Sequence, residues 1–133
     1  MDILARALIA ILLVFGGLGL ILFYQRWLRL RIRPLLPGLG HLDSHAFTLV
    51  YFTTPTCAPC KTIQRPAIES LKKILGNALQ VIEIDASERP DMASRWGVLS
   101  VPTTFIIDPY GEVRHVNHGV VRAEKLLLQI HNK

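Results

Sequence analysis

Two cysteines, the only two in the chain, stand two residues apart in Thr53-Thr54-Pro55-Thr56-Cys57-Ala58-Pro59-Cys60-Lys61. An apolar run, Phe47-Thr48-Leu49-Val50-Tyr51-Phe52, leads into them and predicts a buried strand rich in β-branched and aromatic residues. A helical pattern follows, with Ile63, Ala67, Ile68, Leu71 and Leu75 expected on one side. The pair therefore falls where a strand gives way to a helix, with Cys57 at or near the helix N-terminus. Unpaired backbone N–H groups and the positive end of the helix dipole gather there, and both stabilise a thiolate. In such a setting a Cys-x-x-Cys thiol drops from about 8.5 to about 7 or below, which is partly ionised at neutral pH. Two cysteines so close are too few for a disulfide framework and point to a redox pair.

The remaining composition is divided. The chain has 133 residues, half of them hydrophobic, with a formal net charge of +5. Residues 1–33 carry five arginines against Asp2, a net of +4, and the remainder carries ten Lys or Arg against nine Asp or Glu, a net of +1. The basicity thus belongs to the N-terminal segment, and no basic–aromatic surface pattern follows it, so a nucleic-acid partner is not expected.

From Ala7 to Tyr24, eighteen residues carry no charge and no strongly polar side chain. As a helix they span about 27 Å, close to the ~30 Å core of a bilayer. Tyr24 and Trp27 fall where an interfacial aromatic belt would lie. A buried core helix would show a polar side. A cleaved signal peptide fits poorly, because only Arg6 precedes the apolar part and no Ala-x-Ala site follows. Gly16, Gly17 and Gly19 lack Gly-x-x-x-Gly spacing. The sequence predicts a single transmembrane anchor with a basic juxtamembrane segment over residues 1–33, meeting lipid through residues 7–33. Four arginines follow the apolar core within ten residues, and only Arg6 and the terminal amine precede it. The charge excess favours a cytoplasmic C-terminal side, with an extracytoplasmic domain as the alternative.

Pro34-Leu35-Leu36-Pro37-Gly38-Leu39-Gly40 stops any helix, and residues 34–44 read as a linker. Beyond it, residues 45–133 read as one domain. Gly76-Asn77 signals a helix C-cap, Leu79 to Asp85 a second strand, and Ser87 is placed to cap a short helix from Glu88 to Trp96, closed by Gly97. Val101 to Ile107 reads as a third strand, Asp108-Pro109-Tyr110-Gly111 as a turn and Glu112 to His118 as its hairpin partner. Gly119 breaks the strand, and a helix is expected over residues 122–133. The order is β-α-β-α-β-β-α, an α/β fold with a mixed four-stranded sheet, the first two strands parallel and the last two antiparallel.

The chain from about Ala46 resembles the thioredoxin superfamily, closest to small membrane-tethered versions lacking the first strand and helix of thioredoxin itself. The resemblance rests on the strand leading into Cys-x-Pro-Cys-Lys, the strand ending Ile84-Asp85, the Val101-Pro102-Thr103 step, and Gly111-Glu112-Val113 followed by Gly119. It implies a thiol–disulfide oxidoreductase with no cofactor beyond the Cys57/Cys60 pair, acting on protein disulfides with a thiol electron donor. Cys57 is then the attacking thiol, Cys60 the buried resolving one, and Pro102 a cis-proline packed beside them. A cis Val101–Pro102 bond would present Val101 backbone groups to an extended substrate. Pro59 stiffens the first helical turn, Ala58-Pro59 resembles the reducing type, and Lys61 adds positive charge. An alternative within the same resemblance is a redox sensor or interaction module that does not turn over.

The chain departs from thioredoxin at Thr53 and Thr56, which stand where that protein has tryptophans. Tyr51 replaces a buried acid often assigned proton transfer, and Val81 replaces a lysine. Pro66, the proline of the active-site helix, comes one residue late. Glu83 shares a strand face with Val81 and Asp85 and is a candidate substitute for the acid. Tyr51 reads as core, with a bond to a thiol as the alternative, and Trp96 reads as core. A zinc site from Cys57, Cys60, His115 and His118 is disfavoured, since residues three apart on a strand face opposite ways. His41, His45 and His131 read as solvated.

Overall fold

The computed structural model of the protein describes residues 2–32, 36 and 38–132. Arg33, Pro34, Leu35 and Pro37, part of the expected juxtamembrane and linker segments, lie outside the described residues, as does Lys133. The chain separates into two compact units, residues 1–31 and 32–133.

The first unit is a helix, α1, which runs Ile3–Ile32. Its stretch Ile3–Trp27 is long and apolar enough to cross a membrane. Leu13, Phe15 and Phe23 are all exposed, and the Tyr24 and Trp27 rings lie 6.3 Å apart on its later turns.

In the second unit the strands are β1 Phe47–Thr53, β2 Leu79–Asp85, β3 Thr103–Ile107 and β4 Val113–His118. They form one mixed sheet in the order β2-β1-β3-β4. β1 runs parallel to β2 and antiparallel to β3, and β3 runs antiparallel to β4. The helices are α2 Arg65–Leu75, α3 Pro90–Arg95 and α4 Ala123–His131. This is the expected β-α-β-α-β-β-α thioredoxin-like fold.

Alternation along β1 sorts the two faces, as the pleat requires. Leu49 and Tyr51 pack with Ile106, with Ile68 and Leu71 of α2 and with Leu126 and Ile130 of α4. On the other face Phe52 and Phe105 meet Trp96, whose ring centre lies 5.8 Å and 4.9 Å from theirs. Trp96 is thus core, as the sequence predicts. Asn117 of β4 and Gln129 of α4 exchange two amide hydrogen bonds, 2.9 and 2.8 Å, which fasten the last helix to the edge strand.

Several boundaries differ from the sequence-based expectation, each for a physical reason. The short helix starts at Pro90, and Ser87 does not cap it. The residue before a proline avoids the helical region, and Arg89 sits at φ −124°, ψ 61°. Ser87 instead closes a turn on Asp85, whose carboxylate accepts the Ser87 and Glu88 N–H groups. The third strand begins at Thr103, after the Val101–Pro102 step, because proline has no N–H for the ladder. Residues 38–46 are fastened to the domain. Gln80 accepts the Asp43 N–H at 3.0 Å and donates to the His41 carbonyl at 3.0 Å, and Leu36 is buried against Gly111.

Candidate active site

β1 ends at Thr53, and residues 54–57 lead directly from it into the active-site helix. Cys57 caps that helix. Its carbonyl accepts the Lys61 N–H at 3.4 Å and its sulfur accepts the Cys60 N–H at 3.3 Å, the bonds that an N-cap residue makes. Cys57 and Cys60 are joined in a disulfide, with Cα atoms 5.3 Å apart. Cys57 is 8% exposed and Cys60 is fully buried. Ala58, Pro59 and Lys61 lie exposed around them.

The helix does not wind uniformly. Over Cys60–Gln64 it forms a π turn, closed by the Arg65 N–H on the Cys60 carbonyl. The extra residue rotates the preceding positions, so Ile63, expected inside, is 48% exposed and Gln64 is buried in its stead. Pro66 coming one residue late and the π turn are therefore one event. Gln64 makes two bonds to a single distant residue. Its Nε2 donates to the Val121 carbonyl at 3.1 Å, and its Oε1 accepts the Val121 N–H at 2.8 Å.

Tyr51 bonds no thiol. Its hydroxyl donates to the Cys60 carbonyl at 3.2 Å, and burial pushes its pKa up from 10.0, keeping it neutral. Glu83, the register partner of Tyr51, is half-exposed and pairs with Arg65 at 2.6 Å. Asp85, half-buried at the end of β2, is held below its usual carboxylate range, chiefly by the Ser87 hydroxyl.

The Val101–Pro102 bond is cis. Phe52 is paired with Thr103, so Pro102 falls beside the end of β1, next to the loop that carries Cys57. Val101 and Thr54 line one open cavity of about 420 Å³ with Ala93, Val98 and Leu99. The Gly119 N–H donates to the Pro102 carbonyl at 2.8 Å, with Gly119 at φ +87°, a conformation that favours glycine. His115 and His118 lie on β4 opposite Ile106 and Thr103. Among the described residues no group of three or more His, Cys, Asp or Glu is placed to hold a metal.

Sequence reasoning missed Gln64 and the bond Tyr51 makes. The late Pro66 was the available signal for Gln64; nothing local distinguishes the carbonyl of Cys60 as the partner of Tyr51.

A disulfide capping the helix that follows a central parallel strand, within this mixed sheet, defines a thiol–disulfide oxidoreductase. The family model for thioredoxin matches residues 41–132, and the chain belongs to the thioredoxin family. It is similar to thioredoxin of Bacillus subtilis (strain 168), 35% identical over 83 residues, which is 62% of this chain and 78% of that one. It is also similar to thioredoxin of Rickettsia bellii (strain RML369-C), 30% identical over 91 residues, or 68% and 85% of the two chains. A malaria parasite thioredoxin-2 structure shares the fold with a TM-score of 0.62 at 19% identity, over 66% of this chain and 84% of that one.

Proposed function

We propose that the chain is a single-pass membrane protein whose thioredoxin domain faces the cytoplasm and reduces protein disulfides. The observation that carries the redox roles is the asymmetry of the pair: Cys57 caps the helix and keeps 8% exposure, and Cys60 behind it has none. The Cys57 thiolate attacks a substrate disulfide, forms a mixed disulfide and releases one substrate thiolate. Cys60, as thiolate, then attacks the Cys57 sulfur and releases the second. The Cys57–Cys60 disulfide remains, and two electrons from a thiol donor restore the dithiol.

Substrate docking falls to the Val101–Pro102 step, with Val101 and the neighbouring cavity receiving an extended segment. Pro59 and Ala58 shape the rim, and Lys61 adds positive charge. Membrane tethering is supported by the length and composition of α1, and the cytoplasmic side by the arginines after its apolar core.

One observation favours the sensor reading. The Tyr51 hydroxyl, standing where the family has a carboxylate, is committed to the Cys60 carbonyl and supplies no base for the second thiol. Insulin-disulfide reduction by the full chain in detergent micelles, driven by dithiothreitol, separates the two. Cys57-dependent turnover supports the reductase, and a reversible disulfide without turnover supports the sensor. A membrane-impermeant maleimide on intact cells tests the side: prompt labelling of reduced Cys57 would place the domain outside.

A further inference from the structure

The turn that carries Cys60 is held at three points. Its carbonyl accepts two donors, the Arg65 N–H and the Tyr51 hydroxyl. The Arg65 guanidinium is tied to Glu83, which sits opposite Tyr51 in the sheet. Neighbouring residues of β1 and β2 thus hold the two ends of the π turn. Gln64 holds its inner side, through both bonds to the Val121 backbone. Val121 lies two residues past Gly119, whose N–H is bonded to the Pro102 carbonyl. A continuous run of backbone and hydrogen bonds therefore connects Cys60, Gln64, Val121, Gly119 and Pro102.

This arrangement is not the one that apolar burial alone selects. It leaves Ile63 in water and takes a primary amide out of it, an unfavourable exchange unless the amide is fully partnered. Gln64 places one amide N–H and its carbonyl oxygen on the backbone of one residue, which offsets much of that cost. Single π turns of this kind occur frequently at functional sites.

We propose that Gln64 is a positioning residue for the second half of the exchange. It ties the turn bearing Cys60 to the Gly119–Val121 segment and so to the Val101–Pro102 step, fixing the resolving sulfur relative to the docked substrate. The inference rests on the roles given above to Cys57 and Cys60. In the resolving step the Cys60 thiolate bonds to the Cys57 sulfur, the bond from Cys57 to the substrate sulfur breaks, and its electron pair leaves on the substrate thiolate. The attacking sulfur must approach near the line of the breaking bond, and misplacement by 1 Å costs about 10²-fold in such reactions. The first attack, by the Cys57 sulfur at the helix N-cap, the more exposed of the two, does not depend on where the Cys60 sulfur lies.

Single-turnover kinetics of the full chain in detergent micelles, with a disulfide-linked peptide pair as substrate and acid quenching, resolve the two steps. Gln64→Leu keeps the volume and removes both hydrogen bonds. It is expected to slow resolution by on the order of tenfold, so that the mixed disulfide accumulates, while its formation stays within about twofold of wild type. Gln64→Met, unbranched like glutamine and without an amide, also removes both hydrogen bonds and should split the two steps in the same way. Ile63→Ala, at the exposed neighbour, should change neither step. A buried amide that only stabilises the fold would lower both steps together with the melting temperature. That result, or unchanged resolution in Gln64→Leu, overturns the proposal. If Gln64→Leu does not fold, Gln64→Met decides by the same split between the steps. A wild-type chain that forms no mixed disulfide sinks the assigned cysteine roles, and the positioning role with them. That failure is distinct from wild type and variants resolving alike.

Discussion

Two helices of this chain are rich in apolar residues, and they spend them differently. In α1 apolar side chains face every direction: Leu12, Leu13, Val14 and Phe15, four in succession, are all exposed. In α2 the buried apolar residues form a stripe. Ile68 and Leu71 are buried against the sheet, while Glu69, Ser70, Lys72 and Lys73 face water. Pattern, more than amount, decides what surrounds a helix. A stripe suits a surface helix on a core, and uniform apolarity suits an apolar solvent.

The largest effect expected belongs to the second unit alone. Cys57→Ser should abolish disulfide exchange, and Cys60→Ser should trap substrates as mixed disulfides visible on non-reducing gels. Neither should alter membrane partition, which on this reading is set by α1. Alkylation of the reduced protein at neutral pH checks the order of the thiols, and faster labelling of Cys60 would reverse the assignment.

The converse change belongs to α1. Leu13→Arg with Leu20→Arg places two charges in the apolar stretch, each costing about 3 kcal/mol near a helix centre in a bilayer. The chain should then leave carbonate-washed membranes while insulin reduction persists. Retention of the doubly substituted chain would refute the anchor. Ile74→Lys, on the exposed side of α2, should change neither property.

A third pair of substitutions compares burial within the second unit. Trp96 is 1% exposed between Phe52 and Phe105, and Leu99 is 93% exposed three residues on. Trp96→Ala should lower unfolding stability by about 3–5 kcal/mol, and Leu99→Ala by no more than about 0.5 kcal/mol. Urea titration of the full chain in detergent measures both. Comparable losses at the two sites would mean that Leu99 is covered in solution.

The same contrast explains what the sequence discloses. β1 and β2 declare themselves because their apolar runs are bounded by turn residues, and Leu79–Asp85 is found as expected. The parallel and antiparallel pairings follow from the connections. The placement of Cys57 follows from a strand abutting a helix. What escapes is decided at long range. Local periodicity puts Ile63 inside, and the preference for Gln64 comes from Val121, 57 residues away. Gln80 likewise looks like an ordinary strand residue until its bonds to residues 41 and 43 are seen. Tyr51 reads correctly as core, yet its function depends on which carbonyl the hydroxyl reaches.

The smallest effect expected concerns that hydroxyl and discriminates by pH. Burial raises the Tyr51 pKa above its ordinary 10.0, so the folded protein keeps this proton at pH values where the unfolded chain releases it. Stability falls with rising pH wherever the folded state binds more protons than the unfolded state. The loss due to Tyr51 therefore begins near pH 10, grows until the raised folded pKa is passed, and is absent below. Tyr51→Phe removes the titrating group and with it the bond to the Cys60 carbonyl, a net cost of about 1 kcal/mol at neutral pH. The variant should start less stable than wild type at pH 8, and the gap should narrow as pH climbs past 10. Urea midpoints of the full chain in detergent, taken between pH 8 and pH 11, measure that convergence. Parallel curves would mean that the Tyr51 proton is no harder to remove in the folded protein than in the unfolded chain, and the buried hydroxyl would lose its role as a neutral donor to Cys60.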